Sequence, residues 1–329
     1  MKSFFRELFI YLSLIFLILS VYGFFCEWFF TKEKYFPDDS KRAWSMKQQN
    51  TNYDYAVLGS SRAEGAFDMS LLDSLIQQKG INIGCNGSGF VDNYLVFSRF
   101  IQNHNKIKTL FLQVDVYSLD PEHNFSNSFH VYNFLPFWNK DIFKTATTHY
   151  LSNSDSLVFT YLPWMRFYLY NKYFSPFEVL RRIKNARSVK SFKKDKPVLF
   201  NKAPDNRIDS NIFYKNTIAK EIVIQSFDVD YLKKIIALAK ENGIKVVLFT
   251  APDFFNQESV FLNYQSTKNA LDSILNPYSL IHINAEDSLR RDISLFKDPA
   301  HLNRYGKFLH TLSFAKKYLN AAKLYESSH

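Results

Sequence analysis

The sequence is poor in the residues from which disulfide frameworks, metal sites and phosphate-binding loops are built. Only two cysteines occur among 329 residues, Cys26 in an apolar N-terminal stretch and Cys85 at the end of a predicted strand. Because their environments differ, no disulfide framework is predicted. No two histidines show the His-x-His or His-x-x-x-His spacing of metal ligands, and no glycine-rich turn precedes Lys-Ser or Lys-Thr. We therefore expect no metal and no nucleotide cofactor.

One long apolar run is present, from Leu8 to Phe25, without a charged residue. A helix of about 18 to 23 apolar residues crosses a hydrocarbon core roughly 30 Å thick. A cleaved signal peptide is the alternative, but its apolar region usually has about 7 to 15 residues and ends in small side chains. This run instead continues into Gly-Phe-Phe-Cys-Glu-Trp. The sequence therefore predicts an uncleaved membrane anchor within residues 1–30.

Positive charges flank the run on both sides, with Lys2 and Arg6 before it and Lys32 and Lys34 after it. They do not decide the orientation. Large domains cross the membrane largely regardless of such charges, and the first span of a single-anchor protein usually starts inside. We expect a single-pass protein of a bacterial cytoplasmic membrane, with the rest of the chain on the outer, periplasmic or extracellular, face.

The formal net charge of +10 and the pI near 9.3 indicate affinity for anionic surfaces. Phospholipid head groups, acidic glycans and nucleic acid all qualify, and a membrane anchor makes nucleic acid the least favoured of the three. Aromatic residues make up 18% of the chain. That abundance suits a membrane-proximal surface or a carbohydrate-facing groove, and it equally suits an aromatic-rich core.

Short apolar runs alternate with helix-like patterns, which predicts an α/β fold with a doubly wound, three-layer parallel sheet. The predicted strands are Tyr55–Leu58, Ile81–Gly84, Thr109–Val114, Ile244–Thr250 and Leu280–Ile283. The predicted helices are Ser70–Gln78, Asn93–Gln102, Tyr231–Glu241, Val260–Leu275 and Arg304–Leu324. The core of the domain is therefore assigned to residues 50–120 and 228–329. In such sheets, sites lie at the carboxyl ends of the strands.

Between residues 121 and 227 the alternation lapses. An insertion of roughly 100 residues far exceeds an ordinary crossover, so we expect a cap with its own helices over the strand ends. It contains an aromatic segment, Tyr161–Phe174, and a basic run, Arg181–Lys196. The basic run is expected to lean toward an anionic membrane or over the cleft, and a solvated basic loop is the alternative.

Two motifs carry candidate catalytic chemistry. The first predicted strand ends in Gly59-Ser60-Ser61-Arg62, a strand-to-turn step that exposes a serine at the edge of the sheet. The segment Lys297–Gly306 places Asp298 three residues before His301 where a loop gives way to a helix. A serine hydroxyl needs a base to take its proton, and an imidazole needs a carboxylate to orient it. Ser61, His301 and Asp298 are therefore predicted to form a triad.

Together these motifs resemble the SGNH, or GDSL-like, hydrolases, which have a serine after the first strand and Asp-x-x-His before the last helix. The spacing of the Gly-Asp-Ser pattern aligns Ser61 with the nucleophile and leaves Ser60 as its competitor. The segment Asn82–Gly89 resembles the family's second block and aligns Gly87 with its glycine. The resemblance implies an oxyanion hole made by the backbone amides of Ser61 and Gly87. A glycine-rich loop needed only for a tight turn is the alternative.

The sequence departs from the family after the third strand. The Gly-x-Asn-Asp block is replaced by Leu112-Gln113-Val114-Asp115-Val116, which leaves no asparagine for a third oxyanion contact. Ser60, Arg62, Asp115 and Asn86 remain candidates for lining the pocket. For Asp115 a structural carboxylate is the alternative. For Arg62 the default is a surface ion pair, with Glu64 or Asp298 as a partner, and an anionic substrate is a further option.

The same loss occurs in the membrane-anchored, cell-envelope branch of the superfamily, which this chain resembles at its two ends. That branch includes the lipoteichoic-acid D-alanylation and alginate acetylation factors. The resemblance implies a serine acyl-ester hydrolase or O-acyltransferase that acts on acylated or acyl-accepting envelope glycan. It also implies a membrane-bound O-acyltransferase as a partner. A non-catalytic, membrane-tethered glycan-binding or assembly factor with the same fold is the alternative.

Overall fold

A computed structural model describes residues 2–30, 41–119, 134, 140–148, 151, 153–162, 177, 180, 220–254 and 261–327. The chain divides into two compact units, one formed by residues 1–43 and 126–191 and the other by residues 44–125 and 192–329. The basic run Arg181–Lys196, and the segment Tyr161–Phe174 beyond residue 162, lie outside the described residues, so the expectations for them stay predictions.

The described chain contains eleven α-helices and seven strands that we number in order. The helices are α1 Lys2–Phe30, α2 Lys41–Lys47, α3 Ser61–Ala66, α4 Met69–Ile76, α5 Phe90–Gln102, α6 Asp141–Thr148, α7 Asn153–Tyr161, α8 Ser226–Glu241, α9 Tyr264–Leu275, α10 Asp287–Arg291 and α11 Arg304–Ser327. The strands are β1 Tyr55–Leu58, β2 Gly80–Asn82, β3 Thr109–Gln113, β4 Lys245–Phe249, β5 Ile281–Ile283, β6 Phe296–Asp298 and β7 His301–Leu302. Short 3₁₀ turns follow β3 and α9 and precede β6.

The helix α1 is long and apolar enough to cross a membrane. Its segment Ser3–Phe25 spans 23 residues with a mean hydropathy of 2.4, and 6% of its most apolar window is buried. The large apolar side chains along this segment are exposed, Phe9 and Ile18 among them. A membrane span and an N-terminal signal sequence both have these properties.

The five predicted strands form one parallel sheet, as the sequence predicts, in the order β2-β1-β3-β4-β5. The chain starts at β1, adds β2 on one side and then crosses to add β3 on the other. The order therefore reverses between β1 and β3, and the carboxyl ends of these two strands flank the switch point at which such sheets place their sites.

Both faces of the sheet are buried. On one face, Val57, Phe111 and Val247 pack with Phe314 and Tyr318 in a cluster to which α4 and α11 contribute. Alternation along each strand turns Ala56, Leu110 and their neighbours to the opposite face, on whose side α5 packs against α8. The result is a mixed α/β unit with a continuous parallel sheet at its centre.

The structure differs from the sequence prediction at the C-terminal motif. Asp298 and His301 do not lie at the start of a helix. They face each other across the two-stranded antiparallel ribbon of β6 and β7, which a tight turn at Pro299 and Ala300 connects. The helix α11 begins at Arg304, as the sequence predicts, and the Asn303 side chain accepts hydrogen bonds from the amides of Tyr305 and Gly306.

One buried side chain makes stability depend on pH. His310, on α11, is 2% exposed and lies against Phe67 and Phe314. Within the described residues neither of its ring nitrogens has a hydrogen-bond partner. Burial, with smaller contributions from Lys317 and Arg62, lowers the pKa of His310 to about 3. Its ring is therefore neutral in the folded protein at any pH above that value.

We predict that replacing His310 with leucine removes part of the protein's acid sensitivity. Because the unfolded chain protonates this histidine near pH 6.5, native stability falls by up to about 1.4 kcal/mol per pH unit between pH 6.5 and 3. At pH 5 the loss is about 2 kcal/mol, and His310→Leu should abolish it. Thermal unfolding of the full chain in detergent at pH 8 and pH 5 measures the change. His104→Asn, at an exposed position, is the control, and an equal pH response in wild type and His310→Leu would contradict the prediction.

Candidate active site

Ser61 lies where β1 turns into α3. Gly59 has φ +156°, and a Cβ at this position would come within 2.5 Å of Gln113 Oε1, so only glycine fits the turn. Ser60 is the N-cap of α3, and its hydroxyl accepts a hydrogen bond from the amide of Arg62 at 3.3 Å. The turn therefore presents Ser61 as the first residue of a helix, at the carboxyl edge of the sheet.

The ribbon of β6 and β7 supplies the other two members of the predicted triad. His301 and Asp298 are cross-strand partners, so their side chains project from the same face of the ribbon. His301 Nδ1 and Asp298 Oδ1 lie 2.8 Å apart, and the same oxygen accepts a hydrogen bond from the amide of Ala300 at 3.0 Å. The tight turn thus fixes the carboxylate, and the carboxylate fixes the imidazole.

The structure brings all three residues together across 240 positions of sequence. His301 Nε2 lies 2.7 Å from Ser61 Oγ. Because Asp298 accepts from Nδ1, Nδ1 carries the ring proton and Nε2 is left to accept the proton of the serine hydroxyl. The side chains of His301 and Asp298 are 28% and 37% exposed, so the pair stands at the surface of the unit.

The carboxylate of Asp298 is ionised at neutral pH. Partial burial by itself raises its pKa, but the hydrogen bond and charge interaction with His301, the Ala300 amide and Lys297 outweigh this effect. The net pKa of Asp298 is therefore lower than that of a free aspartate. An ionised carboxylate is what stabilises an imidazolium formed on His301.

The predicted oxyanion donors are the amides of Ser61 and Gly87. In the first turn of α3 the amides of Arg62, Ala63 and Glu64 all donate to acceptors within the protein. Among the described residues, in contrast, no acceptor faces the amide of Ser61 or that of Gly87. Gly87 has φ +68°, a left-handed conformation that favours glycine. The assignment of these donors stays a prediction.

Two of the predicted pocket residues have local partners. The Ser60 hydroxyl donates to Gln113 Oε1 at 3.0 Å, which leaves Ser61, not Ser60, against the imidazole. Asn86 is exposed, and its backbone amide donates a hydrogen bond to Glu64 Oε2 at 2.9 Å. Glu64 is therefore engaged with the Asn86 loop.

The expectation of a surface ion pair at Arg62 is wrong. Arg62 is 9% exposed, and its guanidinium contacts Asp115 Oδ2 at 2.9 Å, donates to the carbonyl of Ala251 and lies 3.8 Å from Asp253 Oδ2. The side chain turns inward because two buried carboxylates follow β3 and β4. The carboxylates thereby compensate the positive charge of the guanidinium at a buried position with little access to water.

Arg62 and Asp115 line a small polar cavity of about 110 Å³ at the carboxyl ends of β3, β4 and β5. Its wall also includes Asp253, which Arg290 contacts at 2.9 Å, and His282, whose Nε2 lies 3.0 Å from Thr250 Oγ1. Burial raises the pKa of Asp115, only partly opposed by Arg62, and burial lowers the pKa of His282. Ser61 and His301 do not line this cavity.

Three residues of this region were not predicted from the sequence: Asp253 and Arg290, which line the cavity, and Gln113, which lies beside it in sequence before Asp115. Gln113 is 2% exposed and contacts the Ser60–Ala63 turn. The polar residue at the end of a buried apolar strand was a signal that could have identified it, because such residues need partners. Asp253 lies in the loop after β4 and Arg290 lies in α10, and neither belongs to a recognisable motif. In the described part of the chain no cluster of three or more His, Cys, Asp or Glu residues has metal-binding geometry.

Comparison with known proteins does not assign the chain to a family. No protein-family model matches the chain, and no curated protein sequence matches it. A solved structure from Bacteroides fragilis, provisionally described as an acylhydrolase, is similar with a TM-score of 0.42 and 10% identity over 87% of this chain and 96% of that chain. At this TM-score the similarity supports no conclusion about fold or activity.

Proposed function

We propose that the protein is a serine acyl-ester hydrolase or O-acyltransferase that uses Ser61, His301 and Asp298. One observation carries the proposal: Ser61 Oγ, His301 Nε2, His301 Nδ1 and Asp298 Oδ1 form a continuous hydrogen-bonded chain with links of 2.7 and 2.8 Å. The order Ser-His-Asp and these distances meet the geometric requirement for an activated serine.

The chemistry follows from these atoms. As Ser61 Oγ attacks an ester carbonyl, its proton passes to His301 Nε2, and Asp298 stabilises the resulting imidazolium. The amides of Ser61 and Gly87 are the proposed donors to the tetrahedral oxyanion. His301 then protonates the departing alcohol, which leaves an acyl group on Ser61. Water or a second alcohol, deprotonated by His301, receives that acyl group and regenerates the serine.

We further propose that the unit is a doubly wound, three-layer domain of SGNH type. The strand order β2-β1-β3-β4-β5, the serine directly after β1 and the acid and base directly before the last helix support this assignment. The cell-envelope branch of the superfamily and an O-acyltransferase partner remain inferences from the motifs.

The proposed substrate is acylated or acyl-accepting envelope glycan at the outer face of a bacterial cytoplasmic membrane. Support comes from α1, which is long enough to span a bilayer, and from the net charge of +10, which suits anionic surfaces. Reporter fusions at the C-terminus of the full chain test the topology. If a C-terminal fusion to a reporter that works only in the cytoplasm is active, an outer-face glycan is excluded as the substrate.

A fluorophosphonate probe tests the proposed chemistry, since it labels serines that an adjacent base activates. The full chain in detergent should become labelled, and peptide mass spectrometry should locate the adduct on Ser61. The rate of p-nitrophenyl acetate hydrolysis should fall in proportion to the fraction of protein that is labelled. A folded wild-type protein that is neither labelled nor active would favour the glycan-binding or assembly factor instead.

A further inference from the structure

The side chain of Gln113 joins the two strand ends that flank the candidate site. It stands at the last position of β3 and reaches the turn that carries Ser61. Its Oε1 atom accepts three hydrogen bonds: from the Ser60 amide at 2.9 Å, from the Ser60 hydroxyl at 3.0 Å and from the Ala63 amide at 3.0 Å. These donors belong to residues on either side of Ser61.

The other end of the same carboxamide is fixed as well. Gln113 Nε2 donates to Asp115 Oδ2, the oxygen that also accepts from Arg62 Nη1 at 2.9 Å. Arg62 directly follows Ser61 in the chain. Gln113, Asp115 and Arg62 are 2%, 3% and 9% exposed, so water does not compete for these bonds.

This arrangement determines which way the amide points. Two backbone amides and a hydroxyl require an acceptor on one side, and a carboxylate requires a donor on the other, so a flipped carboxamide would place like groups together at both ends. Gln113 Nε2 is therefore committed to Asp115 and faces away from the turn. It follows that Gln113 is not a donor to an oxyanion at Ser61.

We propose that Gln113 and Asp115 are positioning residues that clamp the Ser61 turn through the polarity of one buried amide. Gln113 accepts hydrogen bonds from Ser60 and Ala63, and Asp115 accepts hydrogen bonds from Gln113 and Arg62. The residues on both sides of Ser61 are thereby fixed, which keeps Ser61 at hydrogen-bond distance from His301. The inference rests on the proposed function for its catalytic meaning. A reacting atom displaced by about 1 Å can cost on the order of 10²-fold in rate.

Gln113→Leu tests the clamp by removing all four hydrogen bonds at similar volume. In the full chain in detergent, kcat for p-nitrophenyl acetate should fall by about 10- to 100-fold while KM changes by less than about threefold, because the loss concerns the orientation of the nucleophile and not substrate binding. Gln265→Leu, on the exposed side of α9, is the matched control. An unchanged kcat in folded Gln113→Leu would overturn the proposal.

Gln113→Glu provides a readout that a merely structural role would not give. The introduced side chain, when protonated, is isosteric with glutamine and can make the same hydrogen bonds. Its hydroxyl donates to Asp115, and its carbonyl oxygen accepts the three hydrogen bonds from the turn. Two carboxyl groups that share one site hold a proton to unusually high pH. At low pH, kcat of the variant should therefore approach kcat of wild type at the same pH. The ratio of the two should fall as pH rises through the pKa of the carboxyl pair. A wild-type pH profile of kcat would contradict the clamp.

The double variant Gln113→Glu with Asp115→Asn reverses the direction of the hydrogen bond between positions 113 and 115. The introduced asparagine amide donates to the introduced carboxylate, which still accepts from Ser60 and Ala63, and no proton need be shared. Because the same position accepts from Arg62 Nη1 in the wild type, the variant also loses that bond, which should lower kcat to a similar extent at every pH. The alkaline loss of kcat seen in Gln113→Glu should disappear. If the loss persists in the double variant, the pH effect does not arise from the contact between positions 113 and 115, and the proposed clamp fails.

Hydrogen exchange separates the clamp from the proposed activity. The amides of Ser60 and Ala63 donate to Gln113 Oε1, so Gln113→Leu should raise their exchange rates by about tenfold or more, measured by fragmentation mass spectrometry. This result is expected even if wild type proves to lack esterase activity, in which case only the proposed function fails. Unchanged exchange at both amides would overturn the clamp whatever the activity.

Discussion

Replacing Ser61 with alanine should lower kcat/KM for an acetyl ester by about 10⁴-fold or more, the largest effect that we expect from any single substitution. The variant loses the atom that attacks the carbonyl, so the acyl-enzyme cannot form. Oxyanion donors and substrate binding would account for the residual rate. Steady-state kinetics of the full chain in detergent, with p-nitrophenyl acetate, measures the change.

Ser60→Ala is the matched control for this substitution. It removes a neighbouring hydroxyl that caps α3 and contacts Gln113, without touching His301. We expect it to destabilise the helix start by about 1 kcal/mol and to lower kcat/KM by less than about tenfold. If Ser60→Ala were the inactive variant and Ser61→Ala the active one, the nucleophile would be Ser60. Equal activity in Ser61→Ala and wild type would exclude the triad.

Asp298→Asn should lower kcat by about 10³- to 10⁴-fold. Asparagine fits the same space, but its amide can place a donor against His301 Nδ1 and so favour the tautomer whose Nε2 carries the proton. That ring cannot accept the proton of Ser61, and the neutral side chain no longer stabilises an imidazolium. Because the substitution leaves the substrate contacts in place, KM should change little.

Asp292→Asn controls for a loop aspartate near the same ribbon. Asp292 is exposed and accepts hydrogen bonds from the amide and hydroxyl of Ser294, with no contact to the triad. Its kcat should stay within about twofold of wild type. A loss of activity in Asp298→Asn no greater than that in Asp292→Asn would show that the carboxylate does not orient His301. Another acceptor would then have to be sought for Nδ1.

Local signals were strong enough to predict the sheet. Each strand is a short apolar run, and the central runs are buried on both faces, as expected of a parallel sheet whose faces are covered. The strand Tyr55–Leu58 was predicted with its observed bounds. Helix starts were less accurate: α5 begins at Phe90, three residues before the predicted start, because Gly89 and Asp92 together form a cap that the apolar pattern does not reveal.

The interactions of the site depended on tertiary contacts that no single segment encodes. That Asp298 and His301 are neighbours could be predicted from their spacing, but the ribbon that pairs them required Phe296 to be buried in a cluster with Phe254 and Leu295. The inward turn of Arg62 needed carboxylates from two other strand ends, at Asp115 and Asp253. An arginine in a polar turn has an exposed side chain in most proteins, so its burial could be learned only from the fold.

The proposed nucleophile and base lie far apart along the chain, and this distance determines when a triad can first form. Ser61 leaves the ribosome 240 residues ahead of His301, which at about 5–20 residues per second corresponds to roughly 10–50 s. During that interval the segment that carries Ser61 is present without His301. Because acid and base share the short β6–β7 ribbon, they arrive together, and a chain interrupted before Phe296 carries neither. Under the proposed function, the triad is thus completed in one late step, and a half-made polypeptide cannot attack nearby esters during its synthesis.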